Sequence, residues 1–432
     1  MPLDLFAVTQ PGLEDICAAE LAELGLAGQI VPGGVAFTAE LAGLAAANLR
    51  LDVATRVLVR IGEFRAPGFP ELHAHAARLP WERFLSPTTT PRVCCLVSAR
   101  KSRLYHTVGI AERIVRGLGE RLGVAAELVP ASDDDADTET HLPALRVHVR
   151  LERDRCTVSV DSSGEPLHRR GYRLALARAP LRPTLAAAML RVAGWHPGEP
   201  LLDPMCGSGT IVIEAARRAC GRAPGSDRSF AFLTWPGFAG PAALAQARAA
   251  APSPDLSPGT LSPGLSNLSL GVSDLSPRIS NLSPGTSDLS PETSDRSPRI
   301  SDLSPETSPI IVGSDRDPGA IEAARANAAR AGVAALVTLA VRPLSACEPP
   351  RGSDPGLVIC NPPYGVRVGK RGPLRDLYAQ LGHVLRDRFP GARVALLCGD
   401  DLWRHCGLPL ELARSLHNGG LPVQLVLGRV PA

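Results

Sequence analysis

Lysine is almost missing from this 432-residue chain: Lys101 and Lys370 are the only two among 46 basic residues. Arg, Ala, Leu, Gly and Pro abound instead, and a GC-rich genome explains that bias more simply than a functional demand. An excess of one charge is missing too. The 46 Lys and Arg against 43 Asp and Glu leave a net +3, too little to mark a nucleic-acid binder, so any basic surface has to be local. The ten cysteines include no C-x-x-C pair, which suits a reducing cytoplasm better than a disulfide frame or a zinc site, and no metal is expected. No long hydrophobic run exists either. The apolar stretch over residues 41–61 is broken by Arg50, Asp52, Arg56 and Arg60, which excludes a membrane span. Residues 1–6 carry Asp4 and no basic region followed by an apolar run, so no signal peptide is expected.

What is present is ordinary for a globular chain: 44% hydrophobic and 21% charged residues, with length enough for two or three domains. One stretch stands apart. Residues 253–309 resolve into heptads, DLSPRIS from Asp274, NLSPGTS from Asn281, DLSPETS from Asp288, DRSPRIS from Asp295 and DLSPETS from Asp302. A seven-residue period suggests a coiled coil, but the proline in every unit breaks a helix. One or two aliphatics per unit are too few to offset ordering entropy. The stretch reads as a disordered insertion grown by tandem duplication, with a β-solenoid as the alternative.

Around the insertion, the C-terminal half alternates short apolar strands with amphipathic helices. Strands are expected at 200–203, 310–315, 337–341, 357–360 and 393–397, and helices at 210–220, 318–331 and 376–388. That alternation predicts an α/β fold with a parallel sheet covered on both faces. The N-terminal half, with helices near 13–24, 39–48 and 108–118 and strands near 93–98 and 145–151, reads as α+β.

Three motifs carry chemistry. D-P-M-C-G-S-G-T at residues 203–210 follows a strand and opens a helix, and Gly207 and Gly209 permit a tight turn whose N–H groups face a ligand. The third glycine of a dinucleotide fingerprint is absent, because Val212 stands there, so the loop alone fits an unliganded strand-to-helix turn as well. Asp315, ending the next strand, can accept two hydrogen bonds from vicinal ribose hydroxyls, or simply cap a helix. Asn361-Pro362-Pro363-Tyr364 follows the apolar strand at 357–360. An exocyclic base amine is a poor nucleophile, since its lone pair is delocalised into the ring. Two acceptors, the Asn361 side-chain oxygen and the Pro362 carbonyl, can aim it at a methyl donor. Rigid prolines hold the loop, and Tyr364 offers a face to an extruded base. The order of the three motifs outweighs reading the Pro-Pro turn as mere punctuation.

With these in place the chain resembles the bacterial THUMP-domain RNA methyltransferases, most closely those that methylate guanine N2 in 23S ribosomal RNA. The resemblance also rests on F-A-V-T-Q-P-G-L-E-D from Phe6, G-G-V-A-F from Gly33 and L-H-R-R-G-Y-R from Leu167. A-P-L-R-P-T-L-A-A-A from Ala179 and G-S-D-R-D-P-G-A-I from Gly313 complete it. It implies a ferredoxin-like segment (1–60), a THUMP RNA-binding domain (61–165) and a Rossmann-like catalytic domain (166–432) that contains the insertion. S-adenosylmethionine is the cofactor implied, lined by Pro180, Thr184, Asp203, Pro204, Cys206, Gly207, Ser208, Gly209, Thr210, Asp315 and Asn361. Asn361, Pro362, Pro363 and Tyr364 would hold the target base. Some members continue into a second methyltransferase domain, for which this chain ends too soon. One position departs: where similar enzymes carry an acid for the adenine amino group, this chain has Pro343. Loss of a charge-assisted hydrogen bond costs roughly 1–3 kcal/mol, which Ser345 or a backbone carbonyl would partly offset.

Local basic stretches fit an RNA partner. Arg100, Lys101 and Arg103, with His106, fall in the segment that resembles the RNA-facing part of THUMP. Arg169, Arg170 and Arg173, with Tyr172 among them, and Arg367 and Lys370 beyond the catalytic turn make two further patches. Each patch taken alone equally fits solvated surface. His73 and His75 read as surface histidines, Asp133 to Asp135 as a solvated loop, and Cys94 and Cys95 as buried fillers. The rival readings are a tRNA guanine-N2 methyltransferase and, lower, DNA adenine-N6 or protein glutamine methyltransferases. A non-catalytic RNA-binding protein with a decayed catalytic domain, which Pro343 motivates, is another.

Overall fold

The computed structural model describes residues 2–86, 90–130, 144–173, 181–250, 309–349, 356–365 and 371–432. The repeat stretch expected to be disordered lies outside them apart from Pro309, as do the Asp133 to Asp135 run, Pro180, Arg367 and Lys370.

The N-terminal half folds around one eight-stranded sheet. Its elements are β1 (Leu3–Val8), α1 (Glu14–Glu23), β2 (Gly28–Val31), β3 (Gly34–Ala39), α2 (Leu41–Arg50), β4 (Arg56–Arg65) and α3 (Phe69–Ala76). They continue with β5 (Arg92–Arg100), α4 (Thr107–Leu122), β6 (Glu127–Val129), β7 (Leu145–Glu152) and β8 (Arg155–Asp161). The strand order is β2-β3-β1-β4-β8-β7-β5-β6. Strand periodicity explains it: Leu145, Val147, Val149 and Leu151 of β7 are buried while the residues between them are not. The ten-residue β4 pairs with β1 on one side and β8 on the other, so the two N-terminal segments share this sheet. His73 pairs with Glu120 and His75 stacks on Phe64. Cys94 is buried and Cys95 half-buried.

The C-terminal half is the expected α/β unit. It comprises α5 (Pro183–Val192), β9 (Leu201–Asp203), α6 (Thr210–Ala219), α7 (Gly240–Ala249), β10 (Ile311–Asp315), α8 (Pro318–Arg330) and β11 (Val337–Val341). After them come β12 (Leu357–Cys360), α9 (Arg371–Arg388), β13 (Arg393–Cys398), β14 (Leu410–Asn418) and β15 (Leu421–Arg429). The order is β11-β10-β9-β12-β13-β15-β14, parallel through β13 and antiparallel at β15 and β14. All four residues of β12 are buried, because apolar clusters cover both faces of this sheet. The chain leaves β9 towards β10 on one side and later returns to β12 on the other. Ligands of open α/β sheets bind at such a reversal, outside the carboxyl ends of the strands.

Charges around the buried Glu20 join the halves. Arg191 of α5 stands 2.7 Å from Glu20, 2.8 Å from Glu23 and 3.4 Å from Asp52, and Arg218 of α6 stands 3.8 Å from Asp52. Glu20 also accepts the N–H groups of Asp52 and Val53 at 3.1 and 3.2 Å. Three carboxylates face two guanidiniums, so burial pushes Glu20 up to about 8 despite the pull of Arg191. The folded chain therefore binds this proton more tightly than the unfolded one, whose value is 4.5. Stability should be highest below that value and fall as pH rises from about 4.5 to about 8, beyond which this group adds no further slope. Glu20→Gln is expected to flatten the decline in melting temperature across that window. A variant that tracks the wild type throughout would put the proton elsewhere.

Candidate active site

Three loops meet where the strand order reverses. After β9 the chain turns through Pro204 and Met205 into Gly207 and Gly209, both left-handed with φ of +53° and +84°. A Cβ on Gly209 would stand 3.0 Å from Ala324 Cβ, so the residue also lets α6 approach α8. No side chain caps α6, which leaves the first-turn N–H groups facing the crevice.

Asp315 ties this loop to β10. One carboxylate oxygen accepts the Gly207 N–H at 3.0 Å and the other the Asp317 N–H at 3.0 Å, while Asp317 itself caps α8 through Gly319 at 2.9 Å. The helix-capping alternative thus belongs to Asp317. The Cys206 N–H donates to the Ser314 carbonyl at 2.9 Å, and a Cβ on Gly313 would stand 3.2 Å from Cys206 Sγ and 2.9 Å from Leu339 Cδ2. Asp203 is fully buried and accepts the Met205 N–H at 3.1 Å. Burial raises its carboxyl well above the usual range, and neighbouring Asp315 adds to this. Ser208 and Thr210 are buried, and the Ser208 carbonyl accepts from Asn327 at 3.1 Å. Thr184 lies buried in the first turn of α5, which packs on α6. Pro343 begins a short turn beside β11, and the Arg342 N–H donates to the Asp315 carbonyl at 2.8 Å.

The third loop is the Asn-Pro-Pro-Tyr turn after β12. Pro362 is buried and Asn361, Pro363 and Tyr364 are half-buried. Asn361 Oδ1 is buried without any hydrogen-bond partner among the described residues. Tyr364 is less free than the sequence suggests. Its hydroxyl accepts from Asn418 Nδ2 at 2.7 Å and its ring lies on Gly399, so the latter face is closed to a base. Sequence reasoning missed both neighbours. The glycine pair 419–420 between two apolar alternating runs is the hairpin signal that could have found Asn418.

The loop after β9, the acid after β10 and the turn after β12 therefore converge as their order in the chain implies. The chain matches the model of an RMKL-like methyltransferase domain over residues 170–402, an RlmL ferredoxin-like domain over 4–58 and a THUMP domain over 67–161. It belongs to the RMKL-like methyltransferase family. "Ribosomal RNA large subunit methyltransferase K/L" of Syntrophotalea carbinolica is 33% identical over 98% of this chain and 53% of its own length. This chain thus spans about half of that relative. "Putative RNA methyltransferase slr0064" of Synechocystis is 31% identical, with 98% of this chain and 95% of that protein covered. A solved structure, "SMU.472, a putative methyltransferase complexed with SAH", superposes with a TM-score of 0.75 at 26% identity, covering 100% of this chain and 99% of that one.

In this member of the RMKL-like family the expected basic residues divide sharply. Arg100, Lys101 and Arg103 are exposed where β5 ends, beside the β7–β8 turn; Asp154 accepts the Arg103 N–H at 2.8 Å. Arg169 is half-buried, 3.6 Å from Glu165. Arg170 and Tyr172 do not face RNA, and that expectation is corrected: each is only 1% exposed. Tyr172 donates its hydroxyl to Glu214 at 2.7 Å, and Arg170 donates to the Asp52 carbonyl at 2.7 Å. Tyr172 meets Glu214 on α6, and Arg170 Nε stands 3.9 Å from the same carboxylate, which no periodicity in the segment reveals. Arg173, half-buried, keeps Nε and Nη2 without partners among the described residues. Among the described residues no three His, Cys, Asp or Glu side chains gather as a metal site, and no helix is long and apolar enough to cross a membrane.

Proposed function

We propose that this chain is a cytoplasmic, S-adenosylmethionine-dependent RNA methyltransferase acting on guanine N2 of 23S ribosomal RNA. Residues 1–60 and 61–165 would present the RNA, and residues 166–432 would carry the chemistry. The observation that carries the reading is the unpartnered Asn361 oxygen, buried beside two cofactor-type loops at the reversal of the strand order. A buried acceptor left without a donor costs about 1–3 kcal/mol, which a fold tolerates where the donor is the substrate.

The residues present fit the cofactor. Asp315 uses one lone pair on each oxygen for the chain's own N–H groups, and a carboxylate retains capacity for two ribose hydroxyls. The uncapped start of α6 suits a carboxylate or another polar group. When bound, S-adenosylmethionine supplies an electrophilic methyl group. Asn361 Oδ1 and the Pro362 carbonyl would accept hydrogen bonds from the two hydrogens of the target amine. They would thereby fix its direction of attack. Pro362 and Pro363 would hold these acceptors still, and the open face of Tyr364 would support the base.

The test is nucleoside mass spectrometry of separated ribosomal and transfer RNA from a strain lacking the gene. Loss of N2-methylguanosine from 23S RNA is expected. Loss confined to transfer RNA would reassign the substrate to the rival reading. No change in either pool, together with no cofactor binding by calorimetry, would favour a non-catalytic RNA binder and give Pro343 its explanation.

A further inference from the structure

Tyr364 is held by elements that lie far from the catalytic turn in sequence. Asn418, the last residue of β14, donates Nδ2 to the Tyr364 hydroxyl at 2.7 Å. A Cβ on Gly399 would stand 3.1 Å from Tyr364 Cβ and 3.2 Å from Cδ2, so the ring rests on the backbone just after β13. Gly419 and Gly420, at φ of +57° and +82°, fold β14 back onto β15. Leu421, which opens β15, meets the same turn: a Cβ on Gly365 would stand 3.4 Å from Leu421 Cδ1. The hairpin tip therefore touches the catalytic turn twice.

Further back, β14 is anchored to the N-terminal half. Arg414 pairs with Asp15 at 2.5 Å. Gly12, with φ +92°, lies so close to the strand that a Cβ would stand 3.1 Å from the Ser415 carbonyl oxygen. Three residue steps, about 10 Å of extended chain, separate Ser415 from Asn418. A paired strand of this length transmits position without bending, unlike a loop.

We propose that Asn418 is a positioning residue for methyl transfer: it fixes the Tyr364 ring as one wall of the target-base pocket, in register with the N-terminal half through β14. This rests on the base-methylation reading above. Tyrosine is needed there rather than phenylalanine because packing on Gly399 and the apolar core is non-directional, and the hydroxyl supplies the only polar tether the ring has in the described structure.

A double-mutant cycle tests this. Asn418→Ala and Tyr364→Phe should each lower kcat by about threefold to tenfold, with the affinity for S-adenosylhomocysteine unchanged. The double variant should lose no more than either single one, because both remove the same bond. Ring-labelled tyrosine NMR gives a readout that needs no turnover, since the chain has only four tyrosines. Asn418→Ala should shift and broaden the Tyr364 signal and leave those of Tyr172 and Tyr378 in place. Losses that multiply in the double variant, an unchanged kcat in Asn418→Ala, or an unmoved Tyr364 signal would each overturn the proposal. A wild-type protein that methylates no RNA would instead overturn the base-methylation reading, with the NMR signal still reporting whether Asn418 holds the ring.

Discussion

Asn361→Ala should reduce turnover by at least about a hundredfold while leaving cofactor affinity at the wild-type level. Removal of one preorganised group aimed at the reacting atoms typically costs 10²–10³ in kcat, about 3–4 kcal/mol of barrier. Asn361 Oδ1 makes no hydrogen bond among the described residues, so its loss should not disturb the loop after β9 or Asp315. The same fact gives a second expectation of opposite sign. Deleting an unsatisfied buried acceptor should leave the melting temperature unchanged or raise it, by up to about 1 kcal/mol in stability. Calorimetric titration with S-adenosylhomocysteine, single-turnover kinetics and a thermal melt separate these effects. An inactive variant that also binds cofactor poorly would show that the turn serves the cofactor and not the base. A marked fall in melting temperature would reveal a structural partner for the oxygen.

The parts of the fold that were legible share a physical origin. The central strands β9, β12 and β13 are short apolar runs bounded by turn residues, and burial on both faces imposes that pattern without reference to distant contacts. Asp203 to Thr210, Asp315 and Asn361 to Tyr364 were legible because a reversal in strand order requires special residues at the carboxyl ends of those strands. What escaped depends on partners remote in sequence. β14 alternates poorly, with a register shift between Leu412 and Arg414, and its meaning lies in Tyr364, fifty-four positions earlier. Arg170 and Tyr172 read as a basic, aromatic surface because charge in a sequence carries no sign of burial; Glu214, forty-two positions beyond Tyr172, decides it. Pro343 was read as a departure, and the Arg342 N–H just before it donates to the Asp315 carbonyl, so the backbone there stays joined to the end of β10.

Glu214→Ala should unfold the methyltransferase half more readily than any surface change, at a cost of about 3–5 kcal/mol. Glu214 is 4% exposed on α6 and burial raises its carboxyl, with Arg170, then Arg217, pulling the other way. It accepts the Tyr172 hydroxyl at 2.7 Å and lies 3.9 Å from Arg170 Nε. Arg170 and Arg217 are each 1% exposed, so alanine at 214 would strand a buried guanidinium and a buried phenol at once. Arg217 has other support, donating to Asp227 at 2.8 Å and to the Ala223 carbonyl at 2.9 Å. Arg170 has less: among the described residues the Asp52 carbonyl at 2.7 Å is what remains to it. Glu214→Gln keeps an acceptor for Tyr172 and should lose clearly less, which separates charge from hydrogen bonding. The consequence reaches the RNA question. Arg170→Ala should lower the melting temperature first and RNA affinity only through that loss, whereas Arg103→Ala, exposed at the end of β5, should weaken RNA binding at an unchanged melting temperature. Equal melting temperatures for Arg170→Ala and the wild type would return L-H-R-R-G-Y-R to the RNA-binding surface.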